Sequence, residues 1–203
     1  GAMAGHSPDP TIKAVTSRYA ELGGATTMLP TADAQWVGAE LTARFGMPLW
    51  SFALSATDAN RWAIRLARLA TGRSKIVVFG YSYHGSVDEA FALRDASGAT
   101  ISRPGSVAPP VPVGLTTRAA VWNDLASVEE ALRHGDVAAI LTEPALTNIG
   151  IVLPEPGFLE GVRELATAYG ALLMIDETHT FSVGWGGATT AWGLQPDIFV
   201  IGK

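Results

Sequence analysis

A lysine and an aspartate stand directly after two short apolar runs of the sequence. Lys203 follows residues 198–202, Ile-Phe-Val-Ile-Gly, and Asp176 follows residues 171–175, Ala-Leu-Leu-Met-Ile. Such runs are typical of strands buried in a parallel sheet. An amine and a carboxylate at their carboxyl ends suit a pyridoxal phosphate site, where the lysine forms a Schiff base with the cofactor and the aspartate pairs with its protonated pyridine nitrogen. The alternative is that Lys203 is only a strand end that reaches solvent.

Residues 54–60, Leu-Ser-Ala-Thr-Asp-Ala-Asn, join a predicted strand to a predicted helix. Small residues here let the backbone approach a phosphate closely, and the free N–H groups at a helix start attract an anion. Ser55, Thr57 and Asp58 are also ordinary helix-capping residues. A phosphate site is therefore one reading of this segment, and plain helix capping is the other.

A loop with two tyrosines and a histidine follows the next predicted strand. It reads Gly-Tyr-Ser-Tyr-His-Gly over residues 80–85. A ring offered from this loop could stack on a flat heterocycle, or the tyrosine and the histidine could pack in a surface turn. His84 invites a role as a catalytic base, although a histidine beside a glycine in a turn is more often structural.

Acidic residues close two further predicted strands. Glu143 could orient a cofactor hydroxyl or a water, or it could be a solvated strand-end carboxylate. Residues 176–180 read Asp-Glu-Thr-His-Thr, and an aspartate buried beside a pyridine nitrogen keeps that nitrogen protonated. Metal binding by Asp176, Glu177 and His179 is the alternative, but no further His, Asp or Glu set at ligand spacing supports it.

The composition excludes several classes of function. The chain of 203 residues has a net charge of −5 with scattered basic residues, so neither nucleic acid nor a membrane is an expected partner. It has no cysteine, which removes disulfides and thiolate catalysis and favours a cytoplasmic setting. No apolar run approaches the roughly 20 residues that a spanning helix needs, and no signal peptide is visible.

Apolar periodicity predicts a chain in which short strands alternate with helices. We predict helices at residues 11–22, 31–45, 57–70, 86–93, 127–134 and 157–169, the fifth opened by a capping box at residues 127–130. We predict strands at residues 49–54, 76–79, 137–142, 171–175 and 198–201, and a largely irregular segment at residues 97–115. This order indicates an α/β fold, a mainly parallel sheet covered by helices on both faces. In such sheets ligands bind at the carboxyl ends of the strands.

Taken in order, these motifs resemble the class III aminotransferases, pyridoxal phosphate enzymes of fold type I. The likeness is to the branch that contains glutamate-1-semialdehyde aminomutase and β-amino-acid transaminases. It runs in the family's order across nearly the whole chain, so the ordered set is specific although each motif is modest. The matching stretches are residues 5–6, 55–60, 63–68, 83–85, 123–125, 143–144, 156–160, 169–173, 176–177 and 196–203.

The resemblance implies a role for each candidate residue. Lys203 would be the Schiff-base lysine and Asp176 the partner of the pyridine nitrogen, which makes these two the catalytic pair. The implied cofactor site also has phosphate contacts from Ser55, Ala56 and Thr57, ring contacts from Tyr83 and Thr178, a polar neighbour of the phenolic oxygen in His179, and the surrounding residues His84 and Glu143. The resemblance implies no metal.

Three departures from the family's pattern bear on function. Ala56 stands where glycine is usual, which asks for a slightly different backbone. Asn148 replaces the second glutamate of ornithine- and aminobutyrate-type enzymes, as in the aminomutase branch. Residues 181–185 lack the arginine that many relatives carry soon after the Asp-Glu pair. Recognition of a substrate carboxylate must therefore use residues elsewhere.

The chain is also shorter than the family. Relatives carry a strand segment before Gly5 and a long part after the lysine, including a small domain. We therefore expect residues 1–203 to be most of the cofactor-binding large domain, with that N-terminal segment and the C-terminal small domain absent from this sequence. A homodimer is the expected assembly, because charged residues make up only 16% of the chain and Trp36, Trp185 and Trp192 look exposed.

The leading functional hypothesis is amino transfer between an amine or amino acid, including β- or ω-amino acids, and a keto acid or aldehyde. Lys203 would be both the Schiff-base partner and the proton shuttle. Two alternatives stay open. One is an intramolecular 2,1-aminomutase that uses the same residues, and the other is a non-catalytic module that kept the fold.

Overall fold

The computed structural model describes residues 4–24 and 30–203. The chain divides into two compact units, residues 1–52 with Lys203, and residues 53–202. None of the helices within the described ranges has the length and apolar character needed to traverse a bilayer.

The first unit contains two helices, α1 (Asp9–Leu22) and α2 (Ala32–Phe45), and both were predicted from apolar spacing. The side chain of Thr31 caps α2 by accepting a hydrogen bond from the Ala34 amide at 3.1 Å. Gly46 ends α2 because its φ of +70° lies in the left-handed region that glycine adopts without strain. Both helix predictions are confirmed.

The strand predicted at residues 49–54 is wrong. These residues form no strand, and two of their apolar side chains, Leu49 and Leu54, are 88% and 96% exposed. An apolar run becomes a buried strand only where a neighbouring strand pairs with it and a helix covers it. Neither occurs here among the described residues.

The second unit is built on a sheet of five parallel strands, which are β1 (Lys75–Phe79), β4 (Thr117–Ala120), β5 (Val137–Thr142), β6 (Leu172–Asp176) and β7 (Ile198–Val200). Their order across the sheet is β4-β1-β5-β6-β7. A small antiparallel pair, β2 (Ala92–Arg94) and β3 (Thr100–Ser102), lies outside it. All strands of the larger sheet run the same way, so the loops after β1, β5 and β6 leave from one edge.

Helices cover both faces of this sheet. The helices are α3 (Ala56–Thr71), α4 (Leu125–Leu132), α5 (Phe158–Ala168) and α6 (Gly187–Ala191), with 3₁₀ turns at Asp88–Ala90, Val113–Leu115 and Phe181–Val183. On one face α3 packs on alternate strand residues such as Ile76 and Val78. On the other face α4 and α5 pack on Val77 and Phe79. The predicted α/β architecture, with a parallel sheet covered on both faces, is confirmed.

Two local predictions in this unit are wrong. Residues 86–93 form a 3₁₀ turn and the start of β2 rather than a helix. The predicted capping box at residues 127–130 is not the start of α4, because Asp124 is the N-cap and accepts from the Ala126 and Ser127 amides. Ser127 lies inside the helix, where its hydroxyl donates to the Asp124 carbonyl at 2.8 Å.

Candidate active site

The first turn of α3 begins at the segment that the sequence singled out for phosphate. Ser55 is the N-cap, and its hydroxyl accepts a hydrogen bond from the Asp58 amide at 3.1 Å. Capping is therefore a real role of Ser55. The first N–H groups of any helix have no intrahelical partner, so the amides at the start of α3 remain suited to an anion.

The loop after β1 lies directly on this helix start. The Ser86 amide donates to the Thr57 hydroxyl at 3.0 Å. Gly85 has a φ of +77°, and a Cβ there would lie only 2.9 Å from the Cα of Thr57. Glycine is required here both for its backbone conformation and for the close approach. The structure thus brings together two segments that are separated in the sequence.

Gly85→Ala should therefore destabilise the protein severely. The left-handed conformation should cost alanine about 1–2 kcal/mol of unfolding free energy. The collision of its methyl group with Thr57 should cost about 1–3 kcal/mol more through overpacking. The matched control is Gly72→Ala, since Gly72 has a φ of +69° with nothing within 4 Å of the added Cβ. Chemical denaturation of both variants measures the difference. Equal losses of unfolding free energy would contradict the close packing of the loop on α3.

Asp176 ends β6 and is almost completely buried. Its Oδ2 accepts hydrogen bonds from Asn60 Nδ2 at 2.8 Å and from His84 Nδ1 at 2.9 Å. Its Oδ1 accepts from both the amide and the hydroxyl of Thr178. Burial by itself raises the pKa of Asp176, but the hydrogen bond and charge of His84, together with the Thr178 bonds, outweigh it and lower the pKa to about 2. Asp176 is therefore held as a buried anion.

Asn60 is a site residue that the sequence analysis missed. It lies in α3, is fully buried, and its amide nitrogen also donates to the His84 carbonyl at 3.3 Å. The signal was present in the sequence: Asn60 shares the i, i+3, i+4, i+7 face of α3 with Ala63, Ile64 and Ala67, the other buried residues of that helix. A polar residue on an otherwise apolar face needs a buried partner.

His84 lies in the core of this network rather than in a surface turn. The histidine is buried, and its Nδ1 must donate, because Asp176 is ionised and can only accept. Its other ring nitrogen, Nε2, is buried and has no hydrogen-bond partner among the described residues, and the same holds for Asn60 Oδ1. His84 therefore positions Asp176 and keeps one further polar atom beside it.

Glu143 follows β5 and is also buried, which rules out a solvated strand-end carboxylate. Its Oε1 accepts from the Tyr83 amide at 3.0 Å, and its Oε2 accepts from the Thr147 hydroxyl at 2.6 Å. Because Thr147 has a single hydroxyl proton, it accepts from His179 Nδ1, also at 2.6 Å. Thr147 is the second residue that the sequence analysis missed, and it links Glu143 to His179.

Tyr83 and His179 face each other at this edge of the sheet. Their ring centroids are 6.0 Å apart and their planes differ by 15°, an offset stacked arrangement. Tyr83 is 40% exposed. The loop after β1 is thus bonded to α3 through Ser86, to β6 through the ring of His84, and to β5 through the amide of Tyr83.

Glu177 has a structural role. Its Oε2 accepts hydrogen bonds from the Thr180 hydroxyl at 2.9 Å and the Ala188 amide at 2.8 Å, and its Oε1 accepts from the Thr189 amide. These contacts cap α6. Asp176, Glu177 and His179 therefore have separate partners, and no cluster of three or more His, Cys, Asp or Glu residues in the described part of the chain is arranged to hold a metal ion.

The strand that leads to Lys203 pairs with the strand that carries Asp176. β7 is parallel to β6, with Val200 in register with Asp176, and the Glu177 amide donates to the Val200 carbonyl at 2.8 Å. Gly202 approaches Thr178, since a Cβ on Gly202 would lie 3.5 Å from its side chain. Lys203 is the next residue, exposed and with a φ of +60°.

These features are those of an α/β protein with a ligand site at the carboxyl ends of its parallel strands. A parallel sheet covered on both faces presents a buried anion, a histidine–glutamate pair and a helix start at the carboxyl edge of its strands, which is where α/β sheets bind ligands. A model of the class III aminotransferase family matches residues 2–203. The chain belongs to that family, and its fold is that of the fold type I transferases, as the sequence predicted.

Solved structures are similar over nearly the whole chain. A glutamate-1-semialdehyde aminomutase from Pseudomonas aeruginosa PAO1 is 51% identical with a TM-score of 0.91, over 98% of this chain and 44% of that chain. A lysine-to-alanine variant of that enzyme has been solved in complex with PMP. An omega-transaminase from Sphaerobacter thermophilus is 31% identical with a TM-score of 0.84, over 96% of this chain and 46% of that chain.

A curated relative is also similar over nearly the whole length of this chain. Glutamate-1-semialdehyde 2,1-aminomutase of Chloroflexus aurantiacus is 40% identical over 207 aligned positions, which cover 99% of this chain and 46% of that protein. The chain therefore spans less than half the length of these relatives.

Proposed function

We propose that the full-length protein is a pyridoxal phosphate enzyme that moves an amino group by way of Lys203. The observation that carries this proposal is the buried, ionised Asp176 at the end of β6, in register with Val200 of the strand that leads to Lys203. Hydrogen bonds from Asn60, His84 and Thr178 already keep this carboxylate ionised, and a buried anion favours the protonated form of a ring nitrogen placed beside it.

The residues of the second unit are chemically suited to this cofactor. A pyridinium needs an anion, and Asp176 is one at any pH well above about 2. A phosphate needs free N–H groups, and the start of α3 offers them. A flat ring needs an apolar or aromatic neighbour, and Tyr83 is a half-exposed ring at the same edge. His84 Nε2 supplies a buried polar atom beside Asp176 that has no partner among the described residues.

Pyridoxal phosphate, when bound, supplies an aldehyde that captures a primary amine and a ring that takes up the electron pair of a broken C–H bond. Ser55, Ala56 and Thr57 would bind its phosphate. Asp176 would hold the proton on the ring nitrogen, because a nearby anion favours the charged form. Lys203 would be attached to the aldehyde carbon through Nζ; once a substrate amine had displaced it, the freed Nζ would take the proton from the substrate carbon that bears the nitrogen and deliver it to the former aldehyde carbon.

Glu143, Thr147 and His179 would contact a different part of the cofactor ring from Asp176. Glu143, Thr147 and His179 form one hydrogen-bonded chain in which Thr147 donates to Glu143 and accepts from His179. This chain fixes a proton on His179 Nδ1 and leaves Nε2 as the ring nitrogen available to a ligand. We assign His179 to the neighbourhood of the cofactor's phenolic oxygen, and Thr178 to a face of the ring.

We also propose that residues 1–203 are most of the cofactor-binding large domain, and that the protein is a cytoplasmic homodimer. The exposed aromatic side chains Trp36, Trp185 and Trp192, which are 68%, 78% and 43% exposed, support a large interface. Sedimentation of the full-length protein as a monomer with an active site would contradict the dimer.

The reaction is intramolecular or intermolecular amino transfer. Relatives named glutamate-1-semialdehyde aminomutase, at 40–51% identity, support the 2,1-aminomutase. The omega-transaminase at 31% identity supports the transaminase, with an amine or amino acid as donor and a keto acid or aldehyde as acceptor. Since the aminomutase relatives are more similar, we place the aminomutase first.

The need for an amino acceptor distinguishes the two reactions. The full-length protein loaded with pyridoxal phosphate should convert glutamate-1-semialdehyde to its isomer without added keto acid if it is an aminomutase. A transaminase should turn over a primary amine only when pyruvate or another acceptor is added. Turnover is measured by mass spectrometry of the products. Cofactor binding without any reaction would leave a non-catalytic module, and absence of cofactor binding would overturn the proposal.

A further inference from the structure

Asn60 is an amide placed where the packing of α3 asks for an apolar side chain. It is fully buried and shares its face of the helix with Ala63, Ile64 and Ala67. A buried amide without hydrogen-bond partners is strongly destabilising in such a place. The hydrogen bonds of Asn60 are therefore what makes its burial on this face of α3 tolerable.

The two bonds of Asn60 join three segments of the chain. Its amide nitrogen donates to Asp176 Oδ2 at 2.8 Å, 116 residues away in sequence, and to the His84 carbonyl at 3.3 Å. Both partners are acceptors, so the orientation of the amide is decided. Its Oδ1 has no partner among the described residues.

The same helix is fixed to the same loop at its first turn. Ser86 donates to Thr57, and Gly85 packs against the backbone of Thr57. Asn60 is four residues beyond Ala56, about one turn or ~6 Å along the helix axis. The start of α3 and the carboxylate of Asp176 are thus held at a set separation by contacts at Thr57 and at Asn60.

We propose that Asn60 is a positioning residue that couples the anion-binding start of α3 to Asp176. A ligand with a phosphate at one end and a protonated ring nitrogen at the other then meets two anchors that are already in place, which lowers the ordering cost of binding. This inference rests on the proposed function, because it takes pyridoxal phosphate as the ligand. It assigns to Asn60 a role that a residue serving only to fill the core would not have.

The test compares three ligands on the full-length apoprotein. They are pyridoxal phosphate, pyridoxal, which lacks the phosphate, and inorganic phosphate. All measurements are made in a Lys203→Ala background, so that the dissociation constants report non-covalent binding. The variants are Asn60→Leu, which keeps the volume, and Asn60→Ser, which is smaller and keeps a polar group in case the first does not fold. The matched control is Thr71→Val, which removes a hydroxyl bonded to the Ala67 carbonyl at the far end of α3.

Loss of Asn60 should weaken pyridoxal phosphate about tenfold or more, or about 1.4 kcal/mol, and weaken pyridoxal and phosphate each less than about threefold. Only the ligand that spans both anchors depends on their separation. Equal weakening of pyridoxal and pyridoxal phosphate binding would overturn the coupling, since Asn60 would then act on Asp176 alone. Unchanged binding of all three ligands would also overturn it, since Asn60 would then serve only in packing. Failure of the Asn60-containing protein to bind pyridoxal phosphate would instead be a failure of the proposed function.

Discussion

Lys203→Ala should abolish turnover, with a loss of at least about 10⁴-fold, because in the proposed function Lys203 is both the amine that holds the cofactor and the base that moves the proton. Lys203 is the only lysine that follows a strand of the main sheet, since Lys13 lies in α1 and Lys75 begins β1. The start of α3, which we propose binds the phosphate, should still retain some cofactor. Steady-state and single-turnover rates of the full-length protein with a saturating amine measure the effect.

Covalent attachment is the second readout for Lys203. Borohydride treatment followed by peptide mass spectrometry should find the cofactor on Lys203 in the unmodified protein and on no residue in the variant. Lys13→Ala is the matched control, because it removes a lysine from the exposed surface of α1 and should leave rate and attachment unchanged. A variant that still carries a reducible cofactor through another lysine would show that Lys203 is misassigned.

Asp176→Asn should slow proton abstraction by about 10³-fold or more, equivalent to about 4 kcal/mol of activation free energy. A neutral amide does not stabilise a protonated pyridine nitrogen, and an unprotonated ring is a poor acceptor for the electron pair of the broken bond. Covalent attachment to Lys203 should persist, because the aldehyde is untouched. The single-turnover rate with a saturating amine measures the effect, and a rate equal to that of the unmodified protein would refute the role of Asp176.

Asp136→Asn is the matched control for Asp176. Asp136 is another aspartate with a lowered pKa, caused mainly by its hydrogen bond to Arg118, but it lies before β5 at the opposite edge of the sheet. Its loss should reduce stability and spare the chemical step. Equal losses of rate in the two variants would mean that the effect of Asp176 is general rather than local.

The pH dependence of stability gives an independent measure of Asp176. Its pKa falls from 3.8 to about 2 on folding, so the unfolded chain binds more protons between these values and stability rises with pH across them. The contribution is complete above about pH 4 and is lost as the pH falls through about 2. It amounts to about 2 kcal/mol. The unfolding free energy of Asp176→Asn should therefore decrease less between pH 4 and pH 2 than that of the unmodified protein, as measured by chemical denaturation across this pH range.

Most elements of the fold were predictable because their signals are local. The helices α1, α2, α3 and α5 follow from apolar spacing, and the central strands β5 and β6 follow from continuous apolar runs that only burial on both faces explains. The edge strand β4, Thr-Arg-Ala-Ala, lacks that signal, because a strand at the edge of a sheet needs fewer apolar residues. Residues 49–54 carry the signal without a partner strand, and so the prediction failed there.

The start of α4 shows where a local rule becomes ambiguous. Asp124 and Ser127 are both residue types that favour the N-cap position, but the capping-box pattern pointed only to Ser127. The Ser127 hydroxyl accepts from the Val121 amide at 2.9 Å, and this contact with the end of β4 keeps Ser127 inside the helix. The choice between the two caps was therefore made by the neighbouring strand.

The candidate site divides in the same way. Asp176 and Glu143 could be singled out from the sequence, because a carboxylate after an apolar strand is visible in one dimension. Asn60 and Thr147 could not be assigned their partners, and Glu177, which the sequence offered only as a ligand in the metal-binding alternative, caps α6. Apolar periodicity is a property of a few consecutive residues, and so the sequence alone determined the class of fold and the strand-end carboxylates. The partner of a buried polar group depends on the order of the strands and the packing of helices on them, and only the tertiary structure decided it.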